Sequence, residues 1–318
     1  GATDSNGPEI IGNLMNAFTY YDRAHREVFT NGKIDVPYNK PEFRDGIAWL
    51  AKLYAEKLVD PTALTMQAAD LRKLGEKEDA QVLGAVASFY PGSFQSLAGE
   101  RHKDYAIVPP LKGPKGVQLH AWWPYTAVTG EFAITKSCKC PEVAIRWIDW
   151  FFSMEGGLRS RIGREGQEWR KAEPGEKGLD GRPALWIKLT PINEQQNYFW
   201  GQVNIPQQFI HSTQSACDDV FAACGLEKRL YDATKQLEPF KPKEVVPPLW
   251  IPKEDLSKYA QISTDLRQYV DQTMARFISG ELKVDAEWDN YIKQLDRIGL
   301  KDYLAIMQKA YDAKYKKS

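Results

Sequence analysis

The sequence predicts an α/β protein built from more than one lobe, and three observations carry that prediction. At 318 residues the chain exceeds the size at which one hydrophobic core usually stops growing, which favours two lobes or domains. The order strand, turn, strand, helix over 104–157 is that of an α/β layer, because short apolar runs stopped by Pro and Gly give way to helical spacing. From 263 onward the apolar residues recur at helical intervals to the end of the chain.

In PEFRDGIAWLAKLYAEKLV (41–59), Phe43, Ile47, Leu50, Tyr54 and Leu58 share one helical face, with Pro41 suited to the first turn and Asp60-Pro61 as the stop. A polar helical stretch follows around 66–79. QVLGAVASFY (81–90) reads as a short buried strand opening into Pro91-Gly92-Ser93, and Ala106-Ile107-Val108 as another, stopped by Pro109-Pro110. FAIT (132–135) is a third, after which Pro141 opens a helix carrying Val143, Ala144, Trp147, Ile148, Phe151 and Phe152 and ending at Gly156-Gly157. Residues 161–205 have little periodicity and read as a long ordered excursion holding Trp169, Trp186, Tyr198 and Trp200; 235–253 reads as an extended, proline-rich segment. Three helices close the chain: one capped by Ser263 or Thr264 and stopped at Gly280, one ending at Gly299, and one over 301–314.

Forty-two basic residues balance forty-two acidic ones, which argues against a broad nucleic-acid surface. No apolar run approaches the roughly 18–20 residues a membrane-spanning helix needs. Cys138 and Cys140 are too close for an ordinary disulfide, and Cys217 and Cys224, if helical, stand about 10 Å apart along the axis, so all four read as free thiols. The sequence has no nucleophile elbow, dinucleotide or phosphate loop, and no zinc-protease motif. His25, His102, His120 and His211 are isolated; of the acids that could be nominated for catalysis, Asp149, Glu155 and Glu165, the first two lie in or at the end of a helix and read as solvated or capping, so the chain reads as a non-enzyme. Asp4-Ser5-Asn6-Gly7 is a turn, without the terminal Glu of a calcium loop. The ten Trp, fifteen Tyr and thirteen Phe suit stacking against flat ligands. HAWWPYTAVTGEFAIT (120–135) concentrates them, but aromatics fill cores more often than sites, and the residues alone leave both readings open.

YNKPEFRDGIAWLAKLYAEKLVDP, QVLGAVASFY, YAIVPPLKGPKG, FAITKSCKCPEVAIRWIDWFFSMEGG, GREGQEW and FISGELKVDAEWDNYIKQLDRIGLKDYLAIMQKAYD occur in this order. Together they resemble the extracellular solute-binding proteins of family 1, and more narrowly the large lipoprotein-type members that serve ABC importers for complex sugars. The resemblance covers essentially the whole chain, as the C-terminal three-fifths of such a protein. It implies an α/β, periplasmic-binding-protein-like two-lobed fold (type II), incomplete at the N-terminus, with ligand held between the lobes. On that basis residues 1–108 form mainly one ligand-binding lobe, 109–160 the crossing and a second-lobe strand-helix, 161–255 a loop-rich excursion and 256–318 C-terminal helices packed on the lobes.

The implied function is capture of an oligosaccharide for an ABC permease, on the extracellular face of a membrane to which the full-length protein is lipid-anchored. The protein is expected to be a monomer, without nucleic-acid partners. No cofactor is expected in this chain; calcium would belong to a preceding segment. The resemblance places Trp122, Trp123 and Tyr125 at the cleft edge, with the two consecutive tryptophans sent to opposite sides by a strand-like backbone. Tyr90 and Ser93 follow a strand where open α/β sheets present ligand loops. Glu131 or Arg170 would hydrogen-bond a sugar, and Trp169, in a segment similar to the family's G-x-E-G-x-x-W loop, would line the cleft or anchor its own loop. The alternative is a receptor for a peptide or small organic acid; a polysaccharide-active enzyme ranks below both.

Overall fold

In a computed structural model the chain is described at residues 10–77, 81–88, 90–125, 132–190, 217, 219–222 and 224–316. The element order is α1 (Ile10–Met15), β1 (Val28–Thr30), β2 (Lys33–Asp35), α2 (Pro41–Ala55), α3 (Ala68–Gly75), α4 (Pro141–Trp150), α5 (Met154–Arg161), β3 (Trp169–Lys171), β4 (Trp186–Lys188), α6 (Leu226–Leu237), α7 (Lys253–Ser279), α8 (Val284–Ile298) and α9 (Leu300–Tyr315). Single 3-10 turns occupy Pro91–Ser93, Arg101–Asp104 and Glu238–Phe240. The chain divides into two compact units. Unit 1 comprises Gly1–Gln95, Val108–Tyr125 and Leu237–Ser318; unit 2 comprises Ser96–Ile107 and Thr126–Gln236.

Unit 1 is organised around α7. Its buried stripe of Ile262, Leu266, Val270, Met274 and Phe277 meets Phe43, Ile47 and Leu50 of α2, Trp288, Tyr291 and Leu295 of α8, and Tyr303 and Met307 of α9. The Tyr291 hydroxyl, deep in this core, donates to the Tyr38 carbonyl at 3.0 Å, so the polar end of the ring is satisfied. β1 and β2 form an antiparallel hairpin across Asn31-Gly32. Both turn residues are left-handed (φ 52° and 77°), the geometry for which Asn-Gly is favoured in two-residue hairpins.

Unit 2 has a smaller core of Leu158, Ile162, Trp169 and Trp186. β3 and β4 pair antiparallel in the register Trp169↔Lys188, Arg170↔Ile187 and Lys171↔Trp186. Helix α5 starts at Ser153, whose hydroxyl accepts from the Gly156 amide at 3.0 Å.

Several boundaries differ from the expectation. α2 stops at Ala55 because the next residues close a Schellman motif, Lys57 N–H to the Tyr54 carbonyl and Leu58 N–H to that of Leu53, with Lys57 left-handed at φ 60°. Leu58 therefore leaves the apolar face and is 69% exposed. The helix opened by Pro141 ends at Trp150, and Gly156-Gly157 lie inside α5 because the Ser153 cap starts a new helix ahead of them. α7 begins at Lys253 rather than 263, with Glu254 and Asp255 in its first turn, where acids suit the helix dipole. α6 was not anticipated.

The strands expected at 81–90, 106–108 and 132–135 form no ladder among the described residues. Apolar composition does not make a strand without an edge to accept its hydrogen bonds. Val108 is 66% exposed accordingly. On α4, Val143 and Trp147 are likewise exposed, and of the six apolar residues expected in this helix only Phe151, just past its end, is buried. The cysteine expectation is also corrected, since Cys217 and Cys224 form a disulfide. The helix begins only at Leu226, and the turn before it brings the two Cα atoms to 5.7 Å, within disulfide range. Cys138 and Cys140 are free and exposed. Among the described residues no helix is long and apolar enough to cross a membrane.

Candidate functional site

The candidate site is built on the segment Val108–Tyr125 as it runs across unit 1. Two backbone bonds fix its course, Leu119 N–H to the Asn16 carbonyl at 3.1 Å and His120 N–H to the Phe240 carbonyl at 2.8 Å. Asn16 is itself buried, and its side-chain amide spans the Gly12 and Tyr21 carbonyls and the Tyr21 amide, ending α1 and setting the loop that follows.

That loop supplies the supports for the tryptophans. Tyr20 Oη accepts from the Trp122 amide and donates to the Trp122 carbonyl, both at 3.4 Å. Burial, with the nearby Asp22 charge, pushes the Tyr20 phenol up to about 12, so it stays a neutral donor and acceptor. The Asp22 carboxylate accepts from the Ala24 and His25 amides at 2.8 and 3.3 Å and meets His25 Nδ1 at 3.2 Å. So held, the His25 ring lies flat on Trp123, centroids 3.6 Å apart and planes within 2°. Tyr125 presents its edge to Trp123 at 5.1 Å. Lys241 places its ammonium 5.6 Å from the centre of the Trp122 ring.

Trp122, Trp123 and Tyr125 are thus brought together, half-buried, as an aromatic ledge, and neither tryptophan enters the core. One face of Trp123 is taken by His25; Trp122 is gripped by its backbone and flanked by a cation. The ledge can offer indole surface to the C–H face of a flat or ring-shaped ligand, with hydrogen-bonding groups around its rim.

Burial alone would raise the Asp22 carboxyl, but the hydrogen bonds from His25 and Ala24 outweigh it and hold the group below the usual carboxylate range. A depressed folded value means that the unfolded chain binds the proton more readily. The stabilisation is therefore complete above the unfolded value, about pH 4, and is lost as pH falls through the folded one. We expect Asp22→Asn to flatten the acid limb of stability, measured as urea midpoints between about pH 5 and pH 2; an unchanged acid limb would remove Asp22 from this role.

The other expected site residues lie elsewhere. Tyr90 and Ser93 are in unit 1, half-buried at the 3-10 turn, where the Ser88 hydroxyl donates to the Tyr90 carbonyl at 2.8 Å. Trp169 is closed into the unit 2 core, 4% exposed, with its indole N–H donating to the Gly163 carbonyl at 3.2 Å. Its loop is locked by Glu168, which accepts from the Arg164 amide and guanidinium at 2.6 to 3.2 Å, so Trp169 acts as the loop's anchor. Arg170 is engaged by Glu176 through two bonds of 2.8 and 3.0 Å. Glu131, with Tyr198 and Trp200, lies outside the described residues.

Sequence reasoning missed Tyr20, Asp22, His25 and Lys241. Asp22-x-x-His25 is a turn-forming spacing that could have been flagged; the approach of Lys241 to Trp122 has no local signal, since it depends on a contact over long sequence separation. Among the described residues no three His, Cys, Asp or Glu side chains gather as a metal site.

No protein-family model matches the chain. It is 26% identical, over 96% of its length, to the fructooligosaccharide ABC transporter substrate-binding protein FusA of Streptococcus pneumoniae serotype 4 (strain ATCC BAA-334 / TIGR4), of which it covers 56%. Among solved structures it resembles the S. pneumoniae FusA EF-hand mutant in complex with fructo-nystose (TM-score 0.69, 22% identity, 98% of this chain and 62% of that one). It also resembles alginate-binding protein AlgQ2 without calcium ion (TM-score 0.66, 22% identity, 98% and 64%). The chain spans about half the length of the curated relative it matches and under two thirds of either solved chain. The fold is the α/β, periplasmic-binding-protein-like class of these solute-binding proteins, and the sequence is similar to an ABC-transporter substrate-binding protein.

Proposed function

We propose that this protein captures an oligosaccharide for an ABC importer, without chemistry of its own, and that the ledge of Trp122, Trp123 and Tyr125 is its stacking platform. The observation that carries the reading is the ledge itself. Large rings left half-exposed and braced from behind by Tyr20 and His25 keep apolar surface ready for a ligand at little ordering cost. Sugar rings offer an apolar C–H face to indole and hydroxyls to the groups around it. The similarity to proteins whose names describe fructooligosaccharide and alginate binding supports the same class of ligand.

The reading extends to the whole protein. The chain acts as the C-terminal three-fifths of a longer, lipid-anchored receptor on the extracellular face of the membrane. It hands its ligand to a permease as a monomer, and any calcium belongs to the preceding segment. The length of the relatives supports this, as do the exposed apolar residues of α4 and the strand-like runs without ladders, all of which further chain would cover.

The test is tryptophan fluorescence of the full-length protein titrated with plant, algal and host oligosaccharides. One class should give a saturable change, and Trp122→Ala or Trp123→Ala should weaken it by about tenfold, the worth of one good aromatic contact. A folded protein that answers to no sugar but to peptides or organic acids would replace this reading with the alternative.

A further inference from the structure

The surroundings of Trp122 bear on which sugars the ledge selects. The bond from His120 N–H to the Phe240 carbonyl sets the two chain segments in register, and the next residue on the second segment, Lys241, then reaches the Trp122 ring. The side chain is exposed, and its ammonium stands 5.6 Å from the ring centre, close enough to favour the electron-rich indole face. An aromatic face accepts no conventional hydrogen bond, so the three ammonium protons remain available to an acceptor.

Acids beside the ledge and along the neighbouring chain are engaged with other groups. Asp22 accepts from His25 and from the Ala24 amide, and Glu244 accepts from the Asn31 amide at 2.9 Å. Among the described residues no carboxylate lies within ion-pair distance of Lys241, whereas lysines elsewhere in this unit, such as Lys40, Lys115 and Lys309, each face an acid at 2.7 to 3.0 Å. Burial pulls the nearby His120 imidazole below its ordinary value. That ring is neutral at pH 7, which leaves the lysine as the fixed charge beside Trp122.

Resting on the oligosaccharide reading, we propose that Lys241 and Trp122 form a subsite for an anionic sugar residue, a uronate, with the pyranose stacked on the indole and its carboxylate taken by the ammonium. A cation standing over the platform ring discriminates by charge, because it attracts an acidic sugar and finds no charged partner in a neutral one. The neutral counterpart still stacks but offers the ammonium no charged partner. A hydrogen bond between charged groups is worth enough that the acidic sugar should bind about tenfold or more tightly than its neutral form. Added salt should shrink that preference, because Lys241 is exposed.

Matched pairs test this directly. Uronate oligomers, trigalacturonate among them, and their methyl esters share ring, length and linkage and differ in charge. Calorimetric titration of the full-length protein should give the acidic member of at least one pair about tenfold or greater preference. Lys241→Gln should abolish that preference, Lys241→Arg should keep it, and Lys243→Gln, on an exposed neighbour, should leave it in place. If acid and ester bind equally, or the preference survives K241Q, the subsite is wrong while the sugar reading stands. If neither these nor neutral oligosaccharides bind the folded protein, both fall together.

Discussion

Replacing Lys188 by methionine while Glu227 remains should cost unit 2 about 3–5 kcal/mol, the penalty for leaving one partner of a buried ion pair uncompensated. Lys188 lies on β4 and Glu227 in the first turn of α6; their side chains are 4% and 6% exposed, with Nζ 3.5 Å from Oε1. The second oxygen, Oε2, has no hydrogen-bond partner among the described residues. Burial pulls the Lys188 ammonium below the ordinary lysine range, and the attraction of Glu227 offsets that only in part. The pair is therefore a link between strand and helix in which removal of both charges is gentler than removal of one. The double variant Lys188→Met/Glu227→Leu should recover most of the lost stability, as buried pairs replaced by apolar residues commonly do.

The sign of the pH dependence follows. A lysine whose folded pKa is depressed binds its proton less readily than the unfolded chain does, so stability rises with pH between the folded value and about 10.4. That rise should be present in the parent and absent from the double variant, measured as denaturant midpoints across the alkaline range. A single variant as stable as the parent would show that water reaches the pair and that its Coulomb energy is already screened.

What the sequence disclosed, and what it withheld, divides by range of interaction. The stripes of α2, α7, α8 and α9 were legible because helical spacing is local and each stripe could be matched to a buried residue such as Leu266, Val270 or Leu295. The hairpin at Asn31-Gly32 was equally legible and was overlooked, although Asn-Gly between two β-prone runs is a strong short-range signal. Strands were over-read because residues 81–90 and 132–135 carry the composition but find no edge to pair with among the described residues. The Cys217–Cys224 bridge was excluded on the assumption of a helix that begins only at Leu226.

At the candidate site, the tryptophans were singled out by resemblance. Their braces were not, because Tyr20 meets Trp122 and His25 meets Trp123 across about a hundred residues of chain. Arg170 shows the converse. A lone arginine in a glycine-rich stretch looks available to a ligand until Glu176, six residues on, is found holding both of its terminal nitrogens.

The dependence of the ledge on distant backbone makes Gly113→Ala the most severe single change expected in unit 1. A methyl group there would stand 1.7 Å from the Ala17 carbonyl oxygen and 2.7 Å from its carbon, well inside contact distance and against main chain that cannot rotate away. Gly113 also opens the turn in which its amide donates to the Val117 carbonyl at 2.8 Å, and Lys115 ties that turn to Asp45 at 3.0 Å. The segment therefore cannot lift locally without loosening both. Ala17 directly follows Asn16, whose carbonyl holds Leu119 and whose side chain sets the loop carrying Tyr20 and His25, so displacement propagates to the supports of both tryptophans. Forced overpacking against backbone costs about 3 kcal/mol or more, which for a chain of this size is a fall of several degrees in Tm. The proposed sugar binding should weaken with it even at temperatures where the variant is folded, because the rings lose their alignment before the helices of the core lose theirs. Melting curves and tryptophan titrations on the same sample distinguish the two effects. A Gly113→Ala protein that melts and binds like the parent would mean that the segment does not lie against Ala17, and that the ledge is held by other contacts.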